Sequence, residues 1–532
     1  MEVDLERTSG SGIQAALSYL QSHPIYVFYA FCIFIVLRFL KNRYASPLRH
    51  YPGPFLASGT RLWKLFVTLQ THQETAFINL HKKYGGKQKG PIVRVSPTAL
   101  SFSRPSAARE ILSAGKGFHK TSFYAVFPPP ENPDIFTETR EAAHALKRRA
   151  AGPSYAMAAM QGLADRVEAV IALLCERLDG FCAAGSTTHD GRAAPVEMDL
   201  GAWLHFFAFD VLGEVAFGRV WGFLAEGKDV EGCIEAIDQS QRYNGAVGQL
   251  PPLDLVLRRN PLWRAWQKVV PGAQPLVTRI ALDELRKRKE EGGEKEGGGK
   301  RRDLLTQLLK AHDKDPERFT EGDVFAVTHG AIFAGSDSTA STMQSFIHHI
   351  LRDRRVYLQI VAEIDAATSA GKLSRVVQFN EAQLHLPYFQ AALKEAMRLR
   401  PAVGVAMARS VPPTGAEIDG VRYPAGTELD INAWAVHRDK EAFGEDAEVY
   451  RPERWLEDGE RARLMDRHML QFGGGSHVCI GRNLALLEMN KVLPMLLRDY
   501  AMELVHPDRD LDFHTYFFVV QKGLNVKISK RV

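Results

Sequence analysis

Residues 472–485 read FGGGSHVCIGRNLA, and this stretch decides how the rest of the chain is interpreted. Three consecutive glycines, Gly473 to Gly475, let the backbone pass close to a flat ligand because they carry no Cβ atoms. Cys479 lies directly before residues 481–493, which have the pattern of a helix. Amide donors and the positive end of that helix would favour a thiolate over a thiol at Cys479. The alternative is a free buried cysteine beside a flexible loop, which is the usual role of an isolated cysteine.

The spacing Phe-x-x-Gly-x-x-x-Cys-x-Gly over residues 472–481 resembles the haem-binding signature of the cytochrome P450 family. The resemblance implies that Cys479 is the ligand of the haem iron and that Phe472 also lies at the haem. A thiolate on iron pushes electron density onto bound oxygen and favours O–O cleavage. His477 stands where most members of the family carry arginine. Either side chain can donate to a haem propionate, although histidine does so best when protonated.

A long helix with apolar residues at three- and four-residue spacing is predicted to begin near Thr320 and to continue to about Leu351. Its length would be ~45 Å. Thr320 and Asp323 have the spacing of a capping box. A helix this long and apolar is expected to cross the middle of the protein.

Within this helix, residues 334–339 read AGSDST, which resembles the oxygen-activation motif of the family. The resemblance implies that Asp337 carries protons inward and that the Ser338 hydroxyl holds the water that delivers them to bound oxygen. Ser338 replaces the family's threonine, so the methyl group that restricts the rotamer is lost. Thr339, about 100° further round the helix, is expected to point elsewhere. Gly335 is unfavourable by ~1 kcal/mol relative to alanine, which a closely approaching ligand, a local distortion or a tight helix crossing would explain.

Three charged residues, Glu395, Arg398 and Arg454, resemble the Glu-Arg-Arg triad of the family. Glu395 and Arg398 lie three residues apart on one face of a helix predicted between Pro387 and Pro401. Taken alone, such a pair would be an exposed ion pair of little energetic value. In the family the triad is structural and locks the segment before the cysteine, so we expect all three charges to be in contact.

Basic residues elsewhere are candidates for binding the haem propionates. His144 and Arg148, in EAAHALKRRA, resemble the family's Trp-x-x-x-Arg motif, in which some members carry histidine. Arg409 matches a second propionate-binding arginine. A solvated basic helix is the alternative for the first pair. Lys147 and Arg149, on either side of Arg148, are expected to bind the acidic surface of a reductase.

Residues 24–40 read PIYVFYAFCIFIVLRFL and carry a single charge, Arg38. As a helix this segment would span ~25 Å, close to the ~30 Å hydrocarbon core of a bilayer. Lys41 and Arg43 follow the span, and positive charges there favour a cytosolic position for the downstream chain. A cleaved signal peptide and a buried core helix are the alternatives. We expect a single-pass anchor in the membrane of the endoplasmic reticulum, with a cytosolic catalytic domain.

The composition of the 532-residue chain is that of an ordinary globular protein, with 45% hydrophobic and 24% charged residues. The net charge of +5 is too balanced to indicate a nucleic-acid partner. The five cysteines are odd in number and form no CxxC pair, which predicts a reducing compartment rather than a disulfide framework.

Most of the body is predicted to be helical, with short β-like stretches at 92–95, 417–423 and 525–529. Residues 286–302 are rich in glycine and charged residues, which cannot form a core, so this segment is predicted to be a solvated loop between two helices. The fold implied by the resemblance is mainly α, the haem-thiolate fold with a small β-rich side, preceded by a transmembrane helix. The expected divisions are a tail at 1–23, the anchor at 24–40, a basic, proline-rich hinge at 41–56 and a catalytic domain at 57–532.

The resemblance runs from about Tyr51 to the C-terminus and implies a monooxygenase that uses haem b, dioxygen and electrons from NADPH through a flavoprotein reductase. Residues 199–219 and 436–455 resemble the filamentous-fungal branch that includes pisatin demethylase. That branch suggests a small lipophilic substrate, either a fungal secondary metabolite or a xenobiotic such as a phytoalexin. The expected substrate contacts are apolar or aromatic: residues 120–137, Ala331, Ala334, Val403 to Met407, and 516–522.

Two other functions remain open. A haem-thiolate isomerase or dehydratase would rearrange peroxides without a reductase, but such relatives tend to lose the acid–alcohol pair that Asp337 and Ser338 provide. A non-catalytic haem sensor or membrane scaffold would not need that pair. Dependence on NADPH would separate the monooxygenase from the isomerase.

Overall fold

The structure is a computed structural model that describes residues 24–85, 91–127, 132–184, 194–270, 274–290 and 302–531. The described chain is predominantly helical, as predicted. The helices are α1 Pro24–Tyr44, α2 Phe55–Gly59, α3 Leu62–Leu69, α4 Gln73–Tyr84, α5 Pro105–Leu112, α6 Glu141–Ala151, α7 Met157–Gln161, α8 Ala164–Ala184, α9 Leu200–Phe217, α10 Phe223–Glu226, α11 Cys233–Val247, α12 Pro252–Val256, α13 Pro261–Val269, α14 Leu276–Glu290, α15 Leu304–Lys314, α16 Glu321–Gly335, α17 Asp337–Arg352, α18 Arg354–Ser369, α19 Phe379–His385, α20 Pro387–Leu399, α21 Ala433–Val436, α22 Lys440–Phe443, α23 Gly459–Arg467 and α24 Arg482–Asp499.

The strands form small sheets, and they include the three predicted β-like stretches. They are β1 Ile92–Arg94, β2 Ala99–Phe102, β3 His119–Lys120, β4 Val196–Asp199, β5 Met407–Ser410, β6 Ala416–Ile418, β7 Val421–Tyr423, β8 Glu428–Ile431, β9 Tyr500–Leu504, β10 Asp512–Thr515, β11 Val519–Lys522 and β12 Asn525–Lys530. The largest sheet has the order β1-β2-β8-β5-β3, and smaller sheets pair β4-β12-β9, β10-β11 and β6-β7. In the largest sheet β5 is antiparallel to both β3 and β8.

The predicted long helix is present as two helices, α16 and α17, separated by Ser336. The capping box is confirmed: the Asp323 amide donates to the Thr320 hydroxyl, and the Thr320 amide donates to the Asp323 carboxylate. At the break, the Thr339 hydroxyl donates to the Gly335 carbonyl at 3.1 Å. A side chain that bonds to backbone in this way competes with the regular helix ladder. The sequence motif of small and hydroxyl-bearing residues therefore coincides with an interruption rather than a continuous turn.

The core surrounds α9, which is buried along most of its length. This helix is one of two in the described chain that are long and apolar enough to cross a membrane, but 72% of its window is buried inside the protein. It packs against α8, α16 and α17. Its Leu212 side chain lies 3.0 Å from the position that a Cβ on Gly335 would occupy, so tight packing accounts for that glycine.

The N-terminal helix α1 ends four residues later than the predicted span, at Tyr44. Its apolar window is not buried within the protein. Its last turns contact the body, because the Asn42 amide donates to the Gly59 carbonyl at 2.9 Å. The predicted tail at 1–23 lies outside the described residues. The predicted loop at 286–302 is helical up to Glu290, and residues 291–301 also lie outside the described part.

Candidate active site

A cavity of about 290 Å³ lies where the main parts of the fold meet. Its wall contains residues from the segment 120–137, from the end of α16 and the start of α17, and from residues 397–409. The cysteine loop, defined here as residues 470–481, closes one side. The predicted site residues therefore converge on one space, although they come from distant parts of the chain.

The cysteine loop holds Cys479 with its sulfur facing the cavity. The Cys479 amide donates to the Phe472 carbonyl at 2.7 Å, which closes the loop on itself. Gly475 has a positive φ of 61°, and a Cβ there would lie 1.9 Å from the Leu112 carbonyl oxygen. The glycine is therefore required for the loop to pack against α5.

The Cys479 side chain is exposed, yet it lies deep in the molecule, because the surface it exposes is cavity wall. Burial raises the pKa of the thiol. The amides of Gly481 and Arg482 and the positive charge of Arg148 oppose that shift. These amides open α24, as the sequence predicted, so the first turn of that helix supplies donors to the sulfur.

The predicted triad is present and buried. Arg398 donates to both oxygens of Glu395, at 2.9 and 2.8 Å, and Arg454 donates to one of them at 2.9 Å. The Arg398 carbonyl accepts from His437, and the second ring nitrogen of His437 accepts from the Leu470 amide at 2.8 Å. Leu470 begins the cysteine loop. The triad thus connects to the loop through one buried imidazole, which needs to be neutral to donate and accept at once; burial lowers its pKa to about 3.

Five basic side chains line one part of the cavity: Lys120, His144, Arg148, Arg409 and His477. Within the described chain, Arg409 donates to the Tyr124 hydroxyl and to a backbone carbonyl. Lys120 donates to the carbonyls of Ile135 and Phe136. Among the described residues, no carboxylate forms an ion pair with Lys120, Arg148 or Arg409. Basic side chains that form no ion pair with a described carboxylate fit a ligand that carries carboxylates.

The two histidines of this set, His144 and His477, are in contact with each other. Their ring centroids are 4.1 Å apart and the ring planes are tilted by 35°. Burial, reinforced by nearby cations, lowers the pKa of His144 to about 4 and that of His477 to about 2. His477 Nε2 lies 3.0 Å from a Glu141 oxygen, and its Nδ1 has no partner among the described residues. Donation by His477 would therefore come from a neutral ring with one N–H.

The prediction that Lys147 binds a reductase is wrong. Lys147 is only 7% exposed. Its ammonium group pairs with Asp323 at 3.1 Å and with Glu138 at 3.6 Å. It joins α6 to the start of α16, because the helix turns this side chain inward. Arg149, in contrast, is exposed.

Asp337 lies behind the cavity wall, with both carboxylate oxygens engaged. One oxygen is 2.9 Å from His205 Nε2, and the other accepts from Gln241 Nε2 at 2.7 Å. Neither partner was identified from the sequence, since each belongs to another helix and no motif marks it. His205 keeps part of its side chain exposed. The carboxylate therefore has a titratable neighbour on the side toward solvent.

Ser338 and Thr339 both line the cavity, so the expectation that Thr339 points elsewhere is wrong. The Ser338 hydroxyl donates to the Ala334 carbonyl at 3.0 Å, and this residue is the more exposed of the two. Thr339 is buried. Both residues belong to the first turn of α17, directly after the break at Ser336.

The apolar wall contains many of the predicted substrate contacts. Phe127, Phe136 and Phe517 pack edge to face, with ring centroids 5.2 to 5.3 Å apart. Ala331, Ala334, Val403, Val405 and Met407 also line the cavity. Residues that the sequence did not single out include Leu212, Val327 and Phe333. Their apolar side chains look like ordinary core positions, so no local signal distinguishes them.

The arrangement fits a haem group. Cys479, whose sulfur faces the amides of Gly481 and Arg482, would bind the iron. The basic side chains of the wall would bind the two propionates, and the apolar wall with Phe472 would contact the ring. The acid–alcohol pair stands at the break between α16 and α17 in the same wall. The residues present therefore match the donor set that such a group requires.

Comparisons with known proteins are consistent with this fit. The sequence profile of the cytochrome P450 family matches residues 52–528. The chain is 31% identical to cytochrome P450 monooxygenase cicH of Emericella nidulans over 507 residues, 94% of this chain and 97% of the relative. It is 31% identical to cytochrome P450 monooxygenase gsfF of Penicillium aethiopicum, covering 94% and 96%. It is also 30% identical to pisatin demethylase of Fusarium vanettenii, covering 96% and 94%.

Proposed function

Since this chain belongs to the cytochrome P450 family, we propose that it is a monooxygenase that inserts one atom of dioxygen into a small lipophilic substrate with electrons from NADPH through a partner reductase. The observation that carries the proposal is a cysteine sulfur facing a mainly apolar cavity whose wall also contains the Ser338 hydroxyl, next in sequence to the buried Asp337. An isomerase would not need the second feature.

Haem b, when bound, supplies the activation of dioxygen. Cys479 is the residue we assign as its iron ligand, and Phe472 would lie against it. Arg148, Arg409 and the pair His144 and His477 would hold its propionates, since these side chains line the cavity. Lys120 joins this set on the same ground, with its ammonium group already oriented by two carbonyls.

Asp337 and Ser338 are the residues we assign to proton delivery. Asp337 would pass protons inward from His205, because its Oδ1 lies within hydrogen-bond distance, 2.9 Å, of His205 Nε2. Ser338 would hold the last water, since its hydroxyl oxygen can accept a hydrogen bond while its proton is donated to the Ala334 carbonyl. This ordering puts a proton source and a positioned water on the cavity side of the helix break.

Replacing Ser338 with alanine is expected to uncouple NADPH use from product formation. Without the hydroxyl, the water in the cavity loses its anchor and protons reach oxygen in the wrong position. NADPH consumption should continue while the ratio of product to NADPH falls by ~10²-fold, the lower range for a lost acid–base contribution, and hydrogen peroxide rises. The measurement is simultaneous quantification of NADPH, product and peroxide.

The control is Thr339→Ala, which removes the neighbouring hydroxyl. It should have the smaller effect, because Thr339 is buried whereas Ser338 is partly exposed to the cavity. If Thr339→Ala uncouples the enzyme and Ser338→Ala does not, the roles of the two alcohols are reversed.

The substrate is proposed to be a fungal secondary metabolite or a xenobiotic such as a phytoalexin. Two observations support this. The name of one relative, pisatin demethylase, indicates that it acts on pisatin, and the aromatic cluster around Phe127 and Phe517 suits a ring system. Membranes that contain this protein and a reductase should convert members of a panel of lipophilic metabolites only when NADPH is added. Conversion of a hydroperoxide without NADPH would instead support the isomerase.

We further propose that α1 anchors the protein in the membrane of the endoplasmic reticulum, with the catalytic domain in the cytosol. Support comes from its unburied apolar length and from Lys41 and Arg43 in its last turn. Two other segments, 55–69 and 255–269, expose apolar side chains that we propose to contact the membrane surface. The first segment exposes Phe55, Leu56, Leu62, Phe66 and Leu69. The second exposes Leu255, Val256, Leu262, Trp263, Trp266 and Val269.

Deletion of residues 1–40 is expected to release much of the protein from membranes while haem stays bound. Deletion of residues 1–44 should in addition lower the free energy of unfolding by ~1–3 kcal/mol, because buried Arg94 donates to the carbonyls of Asn42 at 2.8 Å and Arg43 at 3.4 Å. Sedimentation of membranes and thermal unfolding measure the two effects. If the protein lacking residues 1–40 sediments as completely as the full chain, α1 is not the main anchor.

We propose that the reductase binds the face that carries Arg149, and that the buried Lys147 takes no part in this contact. Arg149 is exposed and belongs to the same helix as Arg148, whose positive charge acts on Cys479. An exposed rim charge mainly affects the rate of association.

A further inference from the structure

A buried glutamine joins the proton path to the wall of the cavity. Gln241 belongs to α11, and its side chain is buried. Its Nε2 donates to Asp337 Oδ2 at 2.7 Å, and its Oε1 accepts from the backbone amide of Phe518 at 2.9 Å. Phe518 lines the cavity. One side-chain amide therefore bonds at one end to the carboxylate assigned to proton delivery and at the other end to the cavity wall.

Phe518 belongs to the three-residue turn 516–518 between β10 and β11, called here the wall turn. The two strands are antiparallel, and Thr515 pairs with Val519 on either side of the turn. The rings of Phe517 and Phe518 lie edge to face with centroids 5.0 Å apart, and both residues line the cavity. A substrate that fills this part of the cavity would therefore contact the wall turn.

The hairpin that carries the wall turn packs closely against α11. Asp238 Oδ1 lies 2.9 Å from His514 Nε2 on β10. A Cβ on Gly245 would lie 2.3 Å from the Tyr516 carbonyl oxygen, so the glycine permits this close approach. Gln241 lies between these two contacts at three- and four-residue spacing, hence on the same helix face. A displacement of the wall turn would therefore act on Gln241 directly.

The orientation of the Asp337 carboxylate depends on the partners at both of its oxygens. Oδ1 lies 2.9 Å from His205 Nε2, and Oδ2 accepts from Gln241. Hydrogen bonds to a charged group are stronger than those between neutral groups. Movement of the Gln241 amide would therefore change how the carboxylate is held.

We propose that Gln241 is a positioning residue that couples proton delivery by Asp337 to the position of the wall turn. A substrate that contacts Phe517 and Phe518 acts on the carboxylate through this link. The inference rests on the proposed function, because it assigns a control to the proton path of that reaction.

The test compares NADPH consumption in H₂O and in D₂O, with membranes that contain the full chain and a reductase. Gln241→Met keeps the length of the side chain and removes both hydrogen bonds. The rate should fall about tenfold, the loss expected for one hydrogen bond to a charged group. The ratio of the rates in H₂O and D₂O should rise, because proton transfer becomes the slow step.

Gln344→Met is the matched control. Gln344 is also buried, and its Nε2 donates to the Gly201 carbonyl at 2.8 Å. Its replacement removes a buried hydrogen bond outside the link between Asp337 and the wall turn. The rate ratio of this variant should equal that of the unmodified enzyme, even where its thermal midpoint is lower.

A double variant tests whether Gln241 acts through Asp337. Asp337→Asn removes the carboxylate, so the addition of Gln241→Met should cause no further fall in the rate of NADPH consumption. Two changes that act through one group are not additive.

Gly245→Ala tests the other end of the link. Its methyl group would displace the Tyr516 carbonyl, and with it the wall turn, without a change at Gln241 or Asp337. The rate ratio should rise, as in Gln241→Met. Gly180→Ala on α8 is the control, since a Cβ there would meet no described atom within 4 Å, and its ratio should not change.

An unchanged rate ratio in haem-replete Gln241→Met or in Gly245→Ala would overturn the inference. Losses by Gln241→Met and Asp337→Asn that multiply in the double variant would also overturn it. If Gln241→Met accumulates without haem, the ratio of Gly245→Ala decides alone. Because NADPH consumption is the readout, the expected ratios without product from any lipophilic metabolite would count against the proposed function alone.

Discussion

Arg398→Ala is expected to abolish accumulation of folded, haem-bound protein rather than to slow turnover. The Arg398 side chain is fully buried. Besides Glu395, it donates to the carbonyls of His437 at 2.8 Å and Ala447 at 2.6 Å. Truncation removes all these donors at once and leaves a cavity. Breaking such a buried pair costs ~3–5 kcal/mol, a large share of a typical stability of ~5–15 kcal/mol.

The loss should reach the cysteine loop through His437. Its carbonyl is held by Arg398, and its ring bridges the Arg398 carbonyl and the Leu470 amide. The measurements are haem content per protein and the thermal midpoint of whatever folded protein remains. Both should fall together.

The matched control for this prediction is Arg355→Ala. Arg355 also pairs with a glutamate, Glu453, but its side chain is 57% exposed. Exposed pairs contribute ~0–1 kcal/mol, so this variant should accumulate with normal haem content. A stable, haem-replete Arg398→Ala protein would show that the triad does not support the fold.

The features that could be predicted from the sequence are those encoded by local spacing. The capping box at Thr320 and the contact between Glu395 and Arg398 each join residues three positions apart. The start of a helix at Pro387 is marked by the proline itself. Arg454 was placed with them only through the resemblance, since 59 residues separate it from Glu395.

The features that could not be predicted depend on tertiary packing. The partners of Asp337 lie 132 and 96 residues away, on α9 and α11. Lys147 has the sequence context of an exposed basic helix, and only its approach to Asp323 explains its burial. Each case joins two segments that no short motif links.

The interruption at Ser336 illustrates a different limit. Apolar spacing runs through residues 320–351 without a break, so periodicity predicts one helix. The signal that could have indicated otherwise was Gly335 followed by four residues with hydroxyl or carboxyl groups, which compete for backbone partners. Ser338 and Thr339, directly after the break, both lie in the cavity wall.

Cys479→Ala is expected to remove the thiolate signature from the ferrous–CO spectrum and to abolish NADPH-dependent product formation. The fold should survive, because the loop is closed by the Cys479 amide and the Phe472 carbonyl, which alanine retains. The sulfur itself faces the cavity and packs little of the core. Haem should therefore still enter a pocket with intact cations at Arg148 and Arg409, but without its axial ligand.

Cys233→Ala provides the matched control, since all five cysteines lie in the described part of the chain. Cys233 is buried away from the cavity, and burial raises the pKa of its thiol to about 12, so it stays protonated and cannot serve as a thiolate. Its replacement should leave the ferrous–CO spectrum unchanged. The amides of Gly481 and Arg482 donate hydrogen bonds to the Cys479 sulfur and favour its thiolate. Cys479→Ala should therefore remove the thiolate signature, whereas Cys233→Ala should not. Retention of the thiolate signature in Cys479→Ala would mean that another sulfur binds the iron and that the cysteine loop has been assigned the wrong role.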